Sequence, residues 1–410
     1  MLDFLLKYIA AFLIADITLM GSGAWAEVTG LPLRWAAFAV LCFVAVQRIA
    51  IKKNKELKDR LVVSSMLLSF AFIWIIIIPA LGNINFLSSL KDGMFFIGLV
   101  FIFIIAEYSN AKFDAIKIEK FFIFIVLVLT LIHIALGSLQ FFGLVEGEVL
   151  ADVARLVLEP NYNENTQVYV GYMLENTFRV FWISSMFIFV GIALSIKNFN
   201  KALCWKNTGF IALLVLALFF TKTRSLIIAS LIFPILFYLT KLVLNKKTKF
   251  HKTHLAVIVL FLMPFAVFML NSAAVIDFLG LSRDLSDSIR IEQQSYLMDA
   301  FFKNPILGSG FGSSASEIRS ETSPWSYELN MVALLMKIGI LGVLFLYVIV
   351  YRIFTFYACY SNKTNLAHSY ALLLSIIFIG STNPMLFNLA GLLVIFIIIL
   401  PLERDRLKHG

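Results

Sequence analysis

Apolar residues run through this chain in blocks too long for the helices and strands of a water-soluble core. They occupy roughly 8–26, 33–51, 61–80, 93–108, 121–139, 179–196, 208–220, 225–244, 254–272, 328–351, 367–381 and 388–402. Most approach the ~20 residues needed to cross hydrocarbon, with polar and charged residues gathered between them. The pattern predicts an all-α integral membrane protein with about 12 transmembrane helices, a single polytopic membrane domain over 1–410. Two boundaries are short polar turns, Thr221–Arg224 and Thr382–Phe387, each inside a run too long for one helix. Two long polar segments remain, at about 140–178 and 273–327. Within the second, 287–303 carries apolar residues near i, i+3, i+4 spacing and stops at Asn304-Pro305, so this loop is partly helical.

Composition agrees. The chain is 60% hydrophobic and only 14% charged, against roughly half apolar and a quarter charged in a soluble domain. A cytosolic enzyme and a disordered chain are both excluded. The net charge of +9 does not point to nucleic acid, because basic loops on the cytoplasmic side of a membrane account for it. With the N-terminus inside, inward segments hold 23 of the 34 Lys+Arg and outward ones nine. Both termini are therefore expected in the cytoplasm and both long loops outside. Leu13–Ala24 reads as an uncleaved first span. Cys42, Cys204 and Cys359 are too few and scattered for a disulfide framework or a zinc site.

Chemistry concentrates outside. Arg224, in Thr221-Lys222-Thr223-Arg224-Ser225, interrupts an apolar stretch and opens the next helix. A helix start favours anions and an arginine fork suits phosphate; a snorkelling or topology-setting arginine is the plain alternative. The second loop reads Ser288-Ile289-Arg290-Ile291-Glu292, then Asn304-Pro305-Ile306-Leu307-Gly308-Ser309-Gly310-Phe311-Gly312. Its three glycines mark a tight turn where backbone approaches another chain or a ligand. They follow a helix, not a strand, so they are no dinucleotide fingerprint. The loop ends at Trp325-Ser326-Tyr327-Glu328-Leu329-Asn330, before a span interrupted by Lys337-Ile338-Gly339.

An Arg, a short helix, Asn-Pro-Ile-Leu-Gly-x-Gly-Phe-Gly, a polar loop and a span with Gly-Ile-Leu-Gly together resemble the bacterial O-antigen polymerase and O-antigen ligase family. The match covers about 288–345, with Thr221–Ser225 as a second block. The resemblance implies a GT-C type membrane glycosyltransferase of the bacterial inner membrane with a periplasmic active face. Its substrates would be glycans carried on undecaprenyl pyrophosphate, as donor and acceptor, in contact with membrane lipid and with a chain-length regulator and a flippase as partners. Ligases of the family carry a His-Asn pair where this chain has Glu328-Leu329, eleven residues before Gly339. That departure favours polymerase over ligase.

Transfer of a glycan from a pyrophosphate develops charge on the leaving group, which guanidiniums stabilise. Arg224 and Arg290 are the candidates for that role, with Arg179 a third at the mouth of the sixth span. Glu328 is the candidate base for the acceptor hydroxyl, its alternative being an ordinary helix-start carboxylate. Tyr327, Trp325 and Tyr296 could stack on sugar faces, although Trp and Tyr also anchor at membrane surfaces. Asn304, Pro305, Gly308, Gly310, Gly312 and Gly339 read as shape-determining. No metal-ligand spacing occurs in the outer loops, and no cofactor is expected. A lipid-linked sugar transporter is the main rival, but transporters place polar groups at mid-depth, whereas here they gather on one face.

Overall fold

The computed structural model describes residues 2–20, 33–50, 57–145, 149, 169–173, 177–181, 183–199, 205–221, 223–245, 284–318, 323–383 and 386–409. The expected ninth span, 254–272, lies outside these residues, as does 273–283 of the second loop. Helices overlap the other expected spans, the sixth only from Met186 onward. They are α1 (Leu2–Met20), α2 (Leu33–Ala50), α3 (Leu57–Ala71) with a π turn (Phe72–Ile77) into α4 (Ile78–Leu81), α5 (Phe86–Phe113) and α6 (Ala115–Phe141). After these come α7 (Met186–Phe199), α8 (Trp205–Thr221), α9 (Arg224–Asn245), α10 (Asp284–Lys303), α11 (Asn330–Ala358), α12 (Lys363–Thr382) and α13 (Leu389–His409). Among the described residues, six helices are long and apolar enough to cross a membrane, and Met186–Lys197 and Thr208–Thr221 are shorter apolar helices.

The all-α expectation needs one correction. Tyr169–Met173 (β1) and Thr177–Phe181 (β2) form an antiparallel ribbon, with Gly171 opposite Arg179. Both strands are dense in aromatic and β-branched residues, which suit a pleated ribbon better than a helix. Within the segment 140–178 the described residues Tyr169–Met173 are a strand, and Arg179 sits on the paired strand instead of at a helix mouth. The sixth apolar block turns helical only at Met186, after a 3-10 turn at Ile183–Ser185.

The chain divides into two compact units. Unit 1 comprises Met1–Asn54, Phe101–Pro234 and Leu389–Gly410. Its α6 packs against α1 and α8, α7 packs on α8, and the ribbon leans on α6 and α8. Phe122, Val126 and Leu129 of α6 are fully buried, as are Phe187, Phe189 and Leu214, and the Phe122 and Phe187 rings meet edge-on at 5.8 Å. Charges buried here are paired, as a low-dielectric setting requires. Lys197 Nζ lies 3.1 Å from Glu119 Oε1, and Arg406 Nη2 lies 2.7 Å from Glu403 and 3.7 Å from Glu107.

Unit 2 comprises Lys55–Val100 and Ile235–Asn388. Here α11 packs against α3, α10 and α12. Two of its helical stretches are irregular. The π turn runs into Pro79, which has no N–H to donate back. Carbonyls of that turn are met from outside the helix: Ser89 Oγ donates to Ile75 O at 2.6 Å and Phe311 N to Trp74 O at 3.0 Å. The second irregularity is in α11, where Gly339 adopts φ +62° and ψ −173° and breaks the helix.

Candidate active site

The break in α11 explains the glycine-rich segment. A helix interrupted at a glycine leaves carbonyls and N–H groups without helical partners, and these are costly unless met by other groups. The turn segment from Pro305 to Gly310 meets them. Ser309 N donates to Met336 O (3.0 Å) and Gly310 N to Lys337 O (2.8 Å). In return, Ile340 N donates to Pro305 O and Leu341 N to Ile306 O, both at 3.0 Å. Trp74 Nε1 adds a bond to Leu307 O at 2.8 Å.

The close approach expected of the glycines is real, and the chain approached is this protein's own backbone. Gly308, Gly310 and Gly312 have φ of +73°, +84° and +80°. A Cβ on Gly308 would collide with the Lys337 carbonyl, one on Gly310 would lie 2.8 Å from Pro79, and one on Gly312 would lie 2.7 Å from Ser89 N. Asn304 O accepts from Gly308 N at 2.9 Å and so turns the chain out of α10.

A buried ion pair completes this clamp. Lys337 Nζ sits 2.8 Å from the Asp92 carboxylate and 2.9 Å from Trp325 O. Gly312 N donates to Asp92 Oδ2 at 2.8 Å. Both side chains are at most one-tenth exposed. Lys337 thus faces the interior of unit 2 and, through Asp92, ties Gly312 to Trp325 near the end of the loop. Asp92 was not singled out from sequence. The signal was an acid at the head of an apolar block, since a charge in a span needs a partner; 245 residues separate the pair.

From this clamp the chain reaches Tyr327, whose hydroxyl accepts from Ala315 N (2.7 Å) and donates to Glu317 O (3.3 Å). The ring is 2% exposed, and burial pushes its phenol above the usual range. Sugar stacking does not suit a ring so enclosed; Tyr327 pins the loop. It joins Leu297 and Phe301 of α10, Ala315, Leu329, and Ala333 and Met336 of α11 in one apolar cluster. Trp325 is half-buried. Tyr296 is also half-buried, and its hydroxyl donates to Glu292 Oε1 at 3.3 Å. The Glu317 charge, then Glu292, raise its phenol.

That cluster aligns the two charged residues singled out in the loop. Arg290 and Gln293 lie one turn apart on the α10 face that carries Leu297. Gln293 Oε1 accepts from Leu329 N at 3.1 Å, and Arg290 Nε donates to Glu328 Oε2 at 3.0 Å. The two side chains are 25% and 23% exposed, held but within reach of solvent. Asn330 Nδ2 fixes the head of α11 by donating to Asn383 O at 3.2 Å.

The remaining arginines belong to unit 1. Arg224 is the first residue of α9 and is half-buried. The turn before it closes on itself, with Thr221 Oγ1 donating to Leu218 O (2.7 Å) and Thr223 O accepting from Leu226 and Ile227 N–H groups (3.1 Å each). Arg179 is described only in its strand register, opposite Gly171.

With Arg290 and Glu328 joined at the head of a broken apolar helix, comparison with known proteins becomes informative. No protein-family model matches the sequence. The chain is similar to an O-antigen polymerase. That protein, from Shigella flexneri, is 25% identical over 415 aligned residues, which cover 96% of this chain and 94% of the relative. The likeness spans both units, and it supports the resemblance first carried by the 288–345 motif.

Proposed function

We propose that this protein is an inner-membrane polymerase that joins lipid-pyrophosphate-linked oligosaccharide repeat units into O-antigen or a related surface polysaccharide. The single observation that carries the reading is the Arg290–Glu328 pair at 3.0 Å, partly open to solvent and mounted on a clamped loop. Full-length similarity to an O-antigen polymerase supports the same reaction.

The chemistry follows from the residues. In the resting state Arg290 and Glu328 neutralise each other. An arriving donor pyrophosphate competes for the Arg290 guanidinium, whose planar fork suits phosphate oxygens. Glu328 is then released to take the proton of an acceptor sugar hydroxyl. The hydroxyl oxygen bonds to the donor's anomeric carbon as the bond from that carbon to the pyrophosphate oxygen breaks. Arg290 stabilises charge growing on the departing lipid pyrophosphate. The donor and acceptor are both undecaprenyl-pyrophosphate-linked glycans, with a flippase supplying them and a chain-length regulator limiting the product.

The proposed topology has about twelve spans, both termini in the cytoplasm and the loop 273–327 in the periplasm. The basic-residue asymmetry supports it. So do the Arg406–Glu107 and Lys197–Glu119 pairs, which join segments that this topology places on the cytoplasmic side.

The test is a gel profile of surface polysaccharide from a deletion strain carrying wild type, Arg290→Ala or Glu328→Gln on a plasmid. Polymerase predicts that both variants leave a single repeat unit on lipid A core and no ladder. Loss of every attached unit, with full-length lipid-linked chains accumulating, would instead indicate a ligase. An unchanged ladder in both variants would return transport to the front.

A further inference from the structure

Unit 1 contains a groove that the proposed glycan chemistry does not use. It encloses about 410 Å³ between α1, α2, α5, α6 and α13. Its depth is lined by side chains such as Ile14, Ile17, Leu41, Ile105 and Leu393. Its polar lining comes from Lys7 and Tyr8 in the second turn of α1, Ser109 near the C-terminal end of α5 and Lys117 in the first turn of α6. No carboxylate is among the described lining residues. Both lysines are exposed, and neither has an ion-pair partner among the described residues.

We infer that this groove binds one anionic phospholipid, its phosphate held by Lys7 and Lys117 and one acyl chain laid along α1. Length supports the assignment. From Lys7 to Ile17 the helix advances about 15 Å at ~1.5 Å per residue, which is half of the ~30 Å hydrocarbon core and hence the depth of one leaflet. Charge supports it as well, because basic pockets between helix ends select anionic headgroups, each lysine adding about fivefold. An apolar slot with a cationic mouth fits neither a sugar nor a free phosphate, which would leave its walls exposed. The inference rests on the chain being a membrane protein and not on its glycan reaction.

The test uses the full-length protein, delipidated in detergent and offered phosphatidylglycerol, phosphatidylcholine or a polyprenyl phosphate, with retained lipids counted by native mass spectrometry. Wild type is expected to retain one phosphatidylglycerol at least about tenfold more tightly than phosphatidylcholine. The Lys7→Ala/Lys117→Ala variant should lose that preference, and Ile14→Trp, which fills the groove, should lose retention of both. The charge variant changes only exposed residues, so its result stands even if Ile14→Trp misfolds. Equal retention of the two phospholipids by wild type, or an unchanged preference in the double alanine variant, would overturn the proposal. Displacement of phosphatidylglycerol by an equal amount of polyprenyl phosphate would overturn it too, marking a site for the carrier lipid instead.

Discussion

Glu328 and Arg290 form a pair too exposed to serve stability, since ion pairs near solvent contribute only ~0–1 kcal/mol. Its value is positional: one charge is kept beside the other until a substrate anion divides them. Glu328→Gln keeps the shape and removes the base, so kcat for chain extension should fall about 10²–10⁴-fold with little change in thermal midpoint. Arg290→Lys keeps the charge but loses the fork; it should recover part of the activity that Arg290→Ala loses, with a raised KM for the lipid pyrophosphate. Wild-type activity and KM in the Lys variant would remove the fork from the account. Glu328 was visible in sequence because it precedes an apolar helix in a resembling motif. Its partner was not assignable there, because 38 residues separate it from Arg290. Tyr327 was misjudged for a related reason: an aromatic near a membrane surface carries no mark in sequence of whether its ring points outward or into the loop's own core.

The helices were legible because each long apolar block is a direct consequence of crossing hydrocarbon. The ribbon was not, because Tyr169–Met173 and Thr177–Phe181 lie where polar flanks and an apolar block meet. The glycine segment was half legible. Its positive-φ turns were implied by composition, but the partner was the broken α11, seen only once Gly339 is placed against Ile306 and Gly308. At this scale the clamp makes two predictions. Gly308→Ala should cost at least about 1–3 kcal/mol through backbone strain, with a further penalty from the Lys337 carbonyl, read as a lowered thermal midpoint in detergent. Lys337→Met leaves the Asp92 carboxylate buried beside a methyl group and should destabilise by about 3–5 kcal/mol. Adding Asp92→Asn should recover part of that loss. An additive double variant would show that the pair is not coupled.

For the molecule as a whole, composition sets the class and basic residues set the proposed orientation. A single cysteine at exposed Ser314, in a chain cleared of its native cysteines, should react with a membrane-impermeant maleimide in intact cells, whereas one at Lys408 should react only after lysis. The reverse labelling would invert the topology and place the loop away from any periplasmic glycan. The full-length likeness to an O-antigen polymerase agrees with an enzyme built along the whole chain. The central claim is the reaction itself. The most direct measurement is chain growth by purified protein given one lipid-pyrophosphate-linked repeat unit. The account predicts a ladder of lengthening lipid-linked glycans, with release of lipid pyrophosphate in step with each added unit, and neither product from Glu328→Gln. Ladders of equal rate from wild type and Glu328→Gln, or none from wild type with both lipid-linked substrates present, would contradict it.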